Sequence, residues 1–164
     1  LPWLVLGLVG GFAAASIMGG FEEALTKFPE LFYFTPLIAA MAGNVGVQSS
    51  AIVVQGLANN NIRGSTVNRM IKEIGLSLVN GLILAGLIIV FGMMFQYQIE
   101  ISITIAISLV IVIVIASLIG TFVPLILDKN GIDLAVATGP FITTSNDIFG
   151  IFIFFFVAKL ILGF

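Results

Sequence analysis

Five long apolar runs constrain this chain more than any other feature. They cover residues 1–21, 31–57, 74–95, 101–127 and 134–164, and each reaches the roughly 20 residues that a helix needs to cross a bilayer core. In hydrocarbon every backbone N–H and C=O must be satisfied within the protein, so a spanning segment of this length is an α-helix. With 60% of residues hydrophobic and 9% charged, the composition is that of a chain dissolved in lipid. Polar stretches punctuate the runs at 22–30, at 58–73 with the turn signal Asn59-Asn60-Asn61, at 96–100, and at 128–133 around Asn130-Gly131. No repeat, low-complexity tract or linker divides the sequence. The predicted architecture is therefore all-α and polytopic, a single transmembrane domain over residues 1–164 with five transmembrane helices. Because it opens on Leu1 with neither a methionine nor a basic leader, the sequence is expected to be a piece of a longer protein.

Cysteine and histidine are both absent, which removes disulfides, thiolate and imidazole metal sites, and His-based acid–base catalysis. Only oxygen ligands remain, a donor set suited to hard cations such as Mg²⁺ and Ca²⁺, with Mn²⁺ in the same class. No nucleophile–base pair is visible, so an enzyme is not expected. The lipid bilayer is the expected surrounding, and no nucleic-acid partner is expected.

Against that background Asp147 stands out, within the polar patch Thr143-Thr144-Ser145-Asn146-Asp147 in the middle of the last run. A carboxylate at bilayer depth costs about 2.5–3.5 kcal/mol on insertion scales, so it persists where water, a partner or a cation compensates it. Lys and Arg fall in the loops, or at Lys159 about 18 Å further along the same helix at 1.5 Å per residue. Asp147 is the candidate metal-binding residue. The second run is broken as well, by Gly43-Asn44-Val45-Gly46-Val47-Gln48-Ser49. Asn44 and Gln48 share a helical face at i,i+4, while Gly43 and Gly46 permit close backbone approach or local unwinding. These four residues, with Thr143, Thr144, Asn146 and Pro140, are candidate pore-lining positions; interhelical glue is the alternative for the second run. Pro140 lacks an N–H and is expected to kink the fifth helix and free the carbonyl of Val136. Phe149, Phe152, Phe154, Phe155 and Phe156 are expected to face lipid or a second copy, and Ser108 to lie in a lipid-facing fourth helix.

Arg63, Arg69 and Lys72 between runs two and three, and Lys129 between four and five, place those loops in the cytoplasm by the positive-inside rule. The N-terminus is then inside and the C-terminus outside. The outer loops hold Glu22, Glu23, Glu30 and Glu100 against Lys27, an acidic surface in which Glu22 and Glu23 are candidate cation-attracting residues. Trp3, Tyr33 and Tyr97 lie near segment ends, as an interfacial belt would.

These motifs resemble the transmembrane domain of the MgtE-type magnesium transporters, related to the eukaryotic solute-carrier magnesium transporters. The resemblance runs along the chain through Leu1-Pro2-Trp3-Leu4, the Gly43 to Ser49 motif, Pro140, Asn146-Asp147 and Gly150. It implies a homodimer whose pore follows the dimer axis, with Asp147 of each copy holding a hydrated Mg²⁺. It further implies a bacterial or archaeal plasma membrane and a cytosolic regulatory part absent from these residues. The chain departs from the family pattern at Val47 and Gly139, where asparagines are usual, and in having one glycine rather than two before Asn44. A proton- or sodium-coupled cation carrier and a non-conducting structural subunit are the alternative functions.

Overall fold

The computed structural model describes residues 1–59, 65–137 and 139–164. Arg63, Asn60 and Asn61 lie outside the described residues, as does the side chain of Trp3. The described chain is helical: α1 (Pro2–Gly19), the short α2 (Glu22–Lys27), α3 (Glu30–Ala58), α4 (Thr66–Met94), α5 (Ile99–Lys129), a 3-10 turn at Leu134–Ala137, and α6 (Pro140–Leu162). Four helices, α3 to α6, are long and apolar enough to cross a membrane, and the apolar stretch of α1, Leu4–Gly19, is shorter.

Local chemistry sets the boundaries that hydropathy misplaces. Ser65 caps α4 by accepting a hydrogen bond from the Val67 N–H at 3.2 Å. The helix therefore starts eight residues before the apolar run and takes in Arg69, Lys72 and Glu73, which hydropathy assigns to a loop. At the α4–α5 turn Gln96 adopts φ 59°, and the Tyr97 N–H closes onto the Gly92 carbonyl at 2.9 Å. After α5 Gly131 takes φ 68° while the Ile132 N–H reaches the Leu127 carbonyl at 2.9 Å, the αL termination that the Asn130-Gly131 pair foretells.

The last span departs from expectation. Rather than one helix over 134–164 kinked at Pro140, the chain forms the 3-10 turn and then starts α6 afresh, with Gly139 extended at φ 171° and Pro140 at the first position. The pyrrolidine ring suits a first-turn position, where an N–H would have no partner, and it disfavours helix at the preceding residue. Pro140 is thus a helix start, and the Val136 carbonyl is not a broken rung of α6.

The packing centre is α5, which lies against α3, α4 and α6. The expectation of a lipid-facing fourth span is corrected: Ile101, Ile105, Leu109, Val112, Ile113 and Ala116 are buried, and Ser108 is fully buried with its hydroxyl donating to the Thr104 carbonyl at 2.7 Å. In lipid, apolarity does not tell a core face from an outer one, whereas small residues do, because they let backbones approach. Here Gly120 of α5 lies directly on the backbone of Gly46 of α3, and a Cβ at Gly120 would overlap the Gly46 carbonyl. A Cβ at Gly150 of α6 would come within 3.0 Å of Ala42 Cβ. The phenylalanines also divide. Phe149, Phe152 and Phe156 are exposed as expected, but Phe154 and Phe155 are fully buried, Phe155 stacking on Phe21 with ring centroids 5.5 Å apart. Phe154 and Phe155 therefore belong to the core that α6 shares with α2, α3 and α5.

Gly120→Ala is expected to destabilise the fold by about 1–3 kcal/mol through overpacking. Gly86→Ala, where nothing lies within 4 Å of the added atom, should change stability by about 1 kcal/mol or less. Thermal unfolding of the two variants in detergent measures the difference.

Candidate ion site

Asp147 sits two turns into α6, where that helix crosses α3. Its carboxylate lies against Gly43, close enough that a Cβ there would approach Oδ1 to 3.1 Å, with the Thr143 methyl beside it. The side chain is partly buried, and among the described residues it has no hydrogen bond and no ion pair; the one salt bridge there joins Glu23 and Lys27. No three carboxylates converge anywhere among these residues. A lone acid next to a bare glycine can offer oxygens to a cation that retains its own waters, the habit of Mg²⁺.

The rest of the α6 patch is distributed around the helix. Thr143 faces α3 and donates to the Pro140 carbonyl at 3.1 Å. Thr144 instead fits against Gly10 of α1, beside a crevice of about 150 Å³ to which Ser145 contributes. Asn146 is 1% exposed and presses on Gly46, and among the described residues neither atom of its amide has a hydrogen-bond partner. Pro140 begins the helix at a distance of about 10 Å from Asp147, seven residues at 1.5 Å.

The second-run motif is likewise split. Gly43 and Gly46 face α6, but Asn44 and Gln48 turn away from it into a cleft of about 440 Å³ between α3 and α4, floored by Ile113 and Ser117 of α5. Asn44 and Gln48 are thus not brought together with Asp147. The same cleft receives Glu73 and Asn80 of α4, and in it Ser49 donates to the Glu73 carboxylate at 2.6 Å while Ser77 and Ser117 share a hydrogen bond. Hydropathy passes over Glu73 because it ends a charged stretch. Its spacing was the available signal, since Glu73, Ser77 and Asn80 stand at i, i+4 and i+7, one polar face on an otherwise apolar helix.

Glu22 and Glu23 lie on α2, whose acidic first turn and basic last turn suit the helix dipole. Lys27 pairs with Glu23 at 2.8 Å, and its hydrogen bond and charge hold that carboxyl below the usual glutamate range. Of the two acids, only Glu22 keeps its charge uncompensated by a neighbouring cation among the described residues.

Comparison with known proteins decides the family. A model described as a divalent cation transporter, MgtE, matches residues 35–157, a span that includes both the Gly43 to Ser49 motif and Asp147. The chain belongs to the MgtE divalent cation transporter family. It is 37% identical over 159 residues to the magnesium transporter MgtE of Bacillus subtilis, covering 96% of this chain and 35% of the relative. The corresponding protein of Enterococcus faecalis is 33% identical and that of Thermus thermophilus 30% identical, each over 98% of this chain and 36% of the relative. The chain thus spans about a third of the length of these relatives. MgtE proteins are transporters rather than enzymes, and with four apolar helices of spanning length the chain is an integral membrane protein.

Gly43→Ala is expected to push the Asp147 carboxylate aside and weaken divalent-cation binding severalfold, with stability changed by about 1 kcal/mol or less. Titration of the purified variant with Mn²⁺, followed by the loss of the free-ion electron paramagnetic resonance signal, checks this.

Proposed function

We propose that this chain is the ion-conducting membrane part of a Mg²⁺ transporter. It works as a homodimer of five-span subunits with the N-terminus in the cytoplasm, and a hydrated Mg²⁺ is held at the dimer axis between two copies of Asp147. The observation that carries the reading is Asp147 itself, an intramembrane carboxylate without a counter-charge among the described residues, set against a glycine at a helix crossing. The family match and the names of the relatives support the ion class. Two carboxylates related by a twofold axis supply the charge that balances one divalent ion, and an isologous interface is the commonest way to obtain that pair. A cation that keeps several waters needs few protein ligands, in keeping with the absence of any acidic cluster among the described residues.

The energetics favour a channel-like route. Moving two charges down an inward-negative potential of 100 mV releases about 4.6 kcal/mol, twice the roughly 2.3 kcal/mol per charge, so entry needs no coupled gradient. The packing of the shorter apolar α1 along α6 supports counting it as a fifth span. Relatives about three times as long leave room for a regulatory part beside the pore domain.

Asp147→Asn keeps the volume and polarity of the side chain and removes its charge. Uptake of Mg²⁺ into liposomes by the folded variant is expected to fall at least tenfold, and uptake equal to that of the unaltered protein would sink the proposed site. Cysteines placed beside Asp147 on each copy are expected to crosslink across the axis, which requires Cα atoms within about 7 Å. A detergent-corrected mass near that of one 17.4 kDa chain, with Mg²⁺ binding intact, would overturn the shared-ion arrangement.

A further inference from the structure

The cleft between α3 and α4 holds a second acid to which the Asp147 site assigns no task. Glu73 is partly buried on its wall. Ser49 occupies one carboxylate oxygen at 2.6 Å, and among the described residues no further hydrogen bond or ion pair reaches the group. Arg69 and Lys72 precede it on α4 and do not close on it, since the described ion pair is Glu23–Lys27. Asn44, Gln48 and Asn80 stand exposed on the cleft walls, well inside helices of 29 residues each. Amides at that depth do not face hydrocarbon without large cost, so the cleft is filled by water or by something that binds there. Its free donors are neutral oxygens plus one anionic oxygen, in a volume of about 440 Å³. That is too few charges for a dehydrated Ca²⁺ cage and enough to hold a cation that keeps its waters.

We propose that this cleft is a second binding site for a hydrated divalent cation, with Glu73 as its anionic ligand and Asn44, Gln48 and Asn80 as outer hydrogen-bond partners of the ion's water shell. The ladder runs from Glu73 to Asn80, about 10 Å along α4 at 1.5 Å per residue, so the ion is led from one end of the helix pair toward the depth of the Gly43 motif. The backbone of α3 separates the two sites, because Gly43 faces Asp147 while Asn44 faces the cleft. The proposal shares its ion class with the reading above but not its residue.

Mn²⁺ binding to the purified chain, read by equilibrium dialysis and by the loss of the free-ion electron paramagnetic resonance signal, separates the two. Asp147→Asn is expected to retain one class of Mn²⁺ site per chain, and adding Glu73→Gln should weaken that class at least tenfold. The glutamine keeps an acceptor for Ser49, and Ser49→Ala alone should leave Mn²⁺ bound. If Asp147→Asn removes all Mn²⁺ binding, the cleft site is refuted while the Asp147 reading stands. If the Asp147→Asn protein binds like the unaltered one and Glu73→Gln removes everything, the cleft stands and the Asp147 reading falls. Should Glu73→Gln change only the dimer mass and not Mn²⁺ binding, the cleft packs a second copy and the proposal is overturned. If Glu73→Gln does not fold, Asn80→Leu, on an exposed wall, in the Asp147→Asn background should weaken the remaining Mn²⁺ class severalfold, and Mn²⁺ binding unchanged by it would overturn the proposal.

Discussion

The close crossing of α3 with α5 and α6 is the contact on which the rest of the structure depends. Gly46 is pinned from two sides, by the Gly120 backbone and by the Asn146 side chain, and Gly150 meets Ala42 one turn away. Helices in lipid gain little from hiding apolar surface from one another, so close van der Waals contact between small residues has to hold them. That contact fixes the rotation of α6 about its own axis. The rotation in turn aims Asp147 at the bare face of Gly43, and it leaves Asn146 buried without a partner among the described residues. A buried unpaired amide costs about 1–3 kcal/mol, and here it accompanies the packing that orients the acid next to it.

The same crossing gives α3 two chemically different sides. Successive residues of an α-helix are turned by about 100°, from 3.6 residues per turn. Gly43 therefore addresses α6 while Asn44 addresses α4, although they are neighbours in sequence. One motif serves two places, its glycines supplying proximity to Asp147 and its amides supplying the wall of the cleft. Substituting an amide and substituting a glycine in this motif thus test different structures, even where both impair transport.

The membrane class and the helical content could be read from residue types, because the bilayer leaves few solutions to a chain with five apolar runs, and the isolation of Asp147 from counter-charges among the described residues follows from where Lys and Arg fall in the sequence. Helix starts could not be read from hydropathy: Ser65 as a cap and Pro140 as a first-turn residue act through hydrogen bonding and φ, which an apolarity window does not see. The centrality of α5 was hidden for a different reason. Its β-branched surface looks like a lipid-facing one, and its true position is signalled only by the small and hydroxylated residues Ser102, Ser108, Ser117, Gly120 and Thr121, all buried. Glu73 was legible in principle from its i, i+4, i+7 partners and was masked by the basic residues before it.

The distribution of acids bears on what such a site can do. Clustered carboxylates hold a divalent ion tightly and release it slowly, whereas conduction requires binding favourable enough to admit the ion and weak enough to let it leave. Asp147 lies against Gly43 and Glu73 beside the Ser49 hydroxyl, on opposite sides of α3, and no group of three acids forms among the described residues. Each would hold an ion through its water shell, so the energy lost on leaving is that of a few hydrogen bonds and screened charges rather than of stripping and rebuilding a coordination sphere. For Mg²⁺, which dehydrates reluctantly, isolated acids that hold the ion through its water shell favour passage over retention.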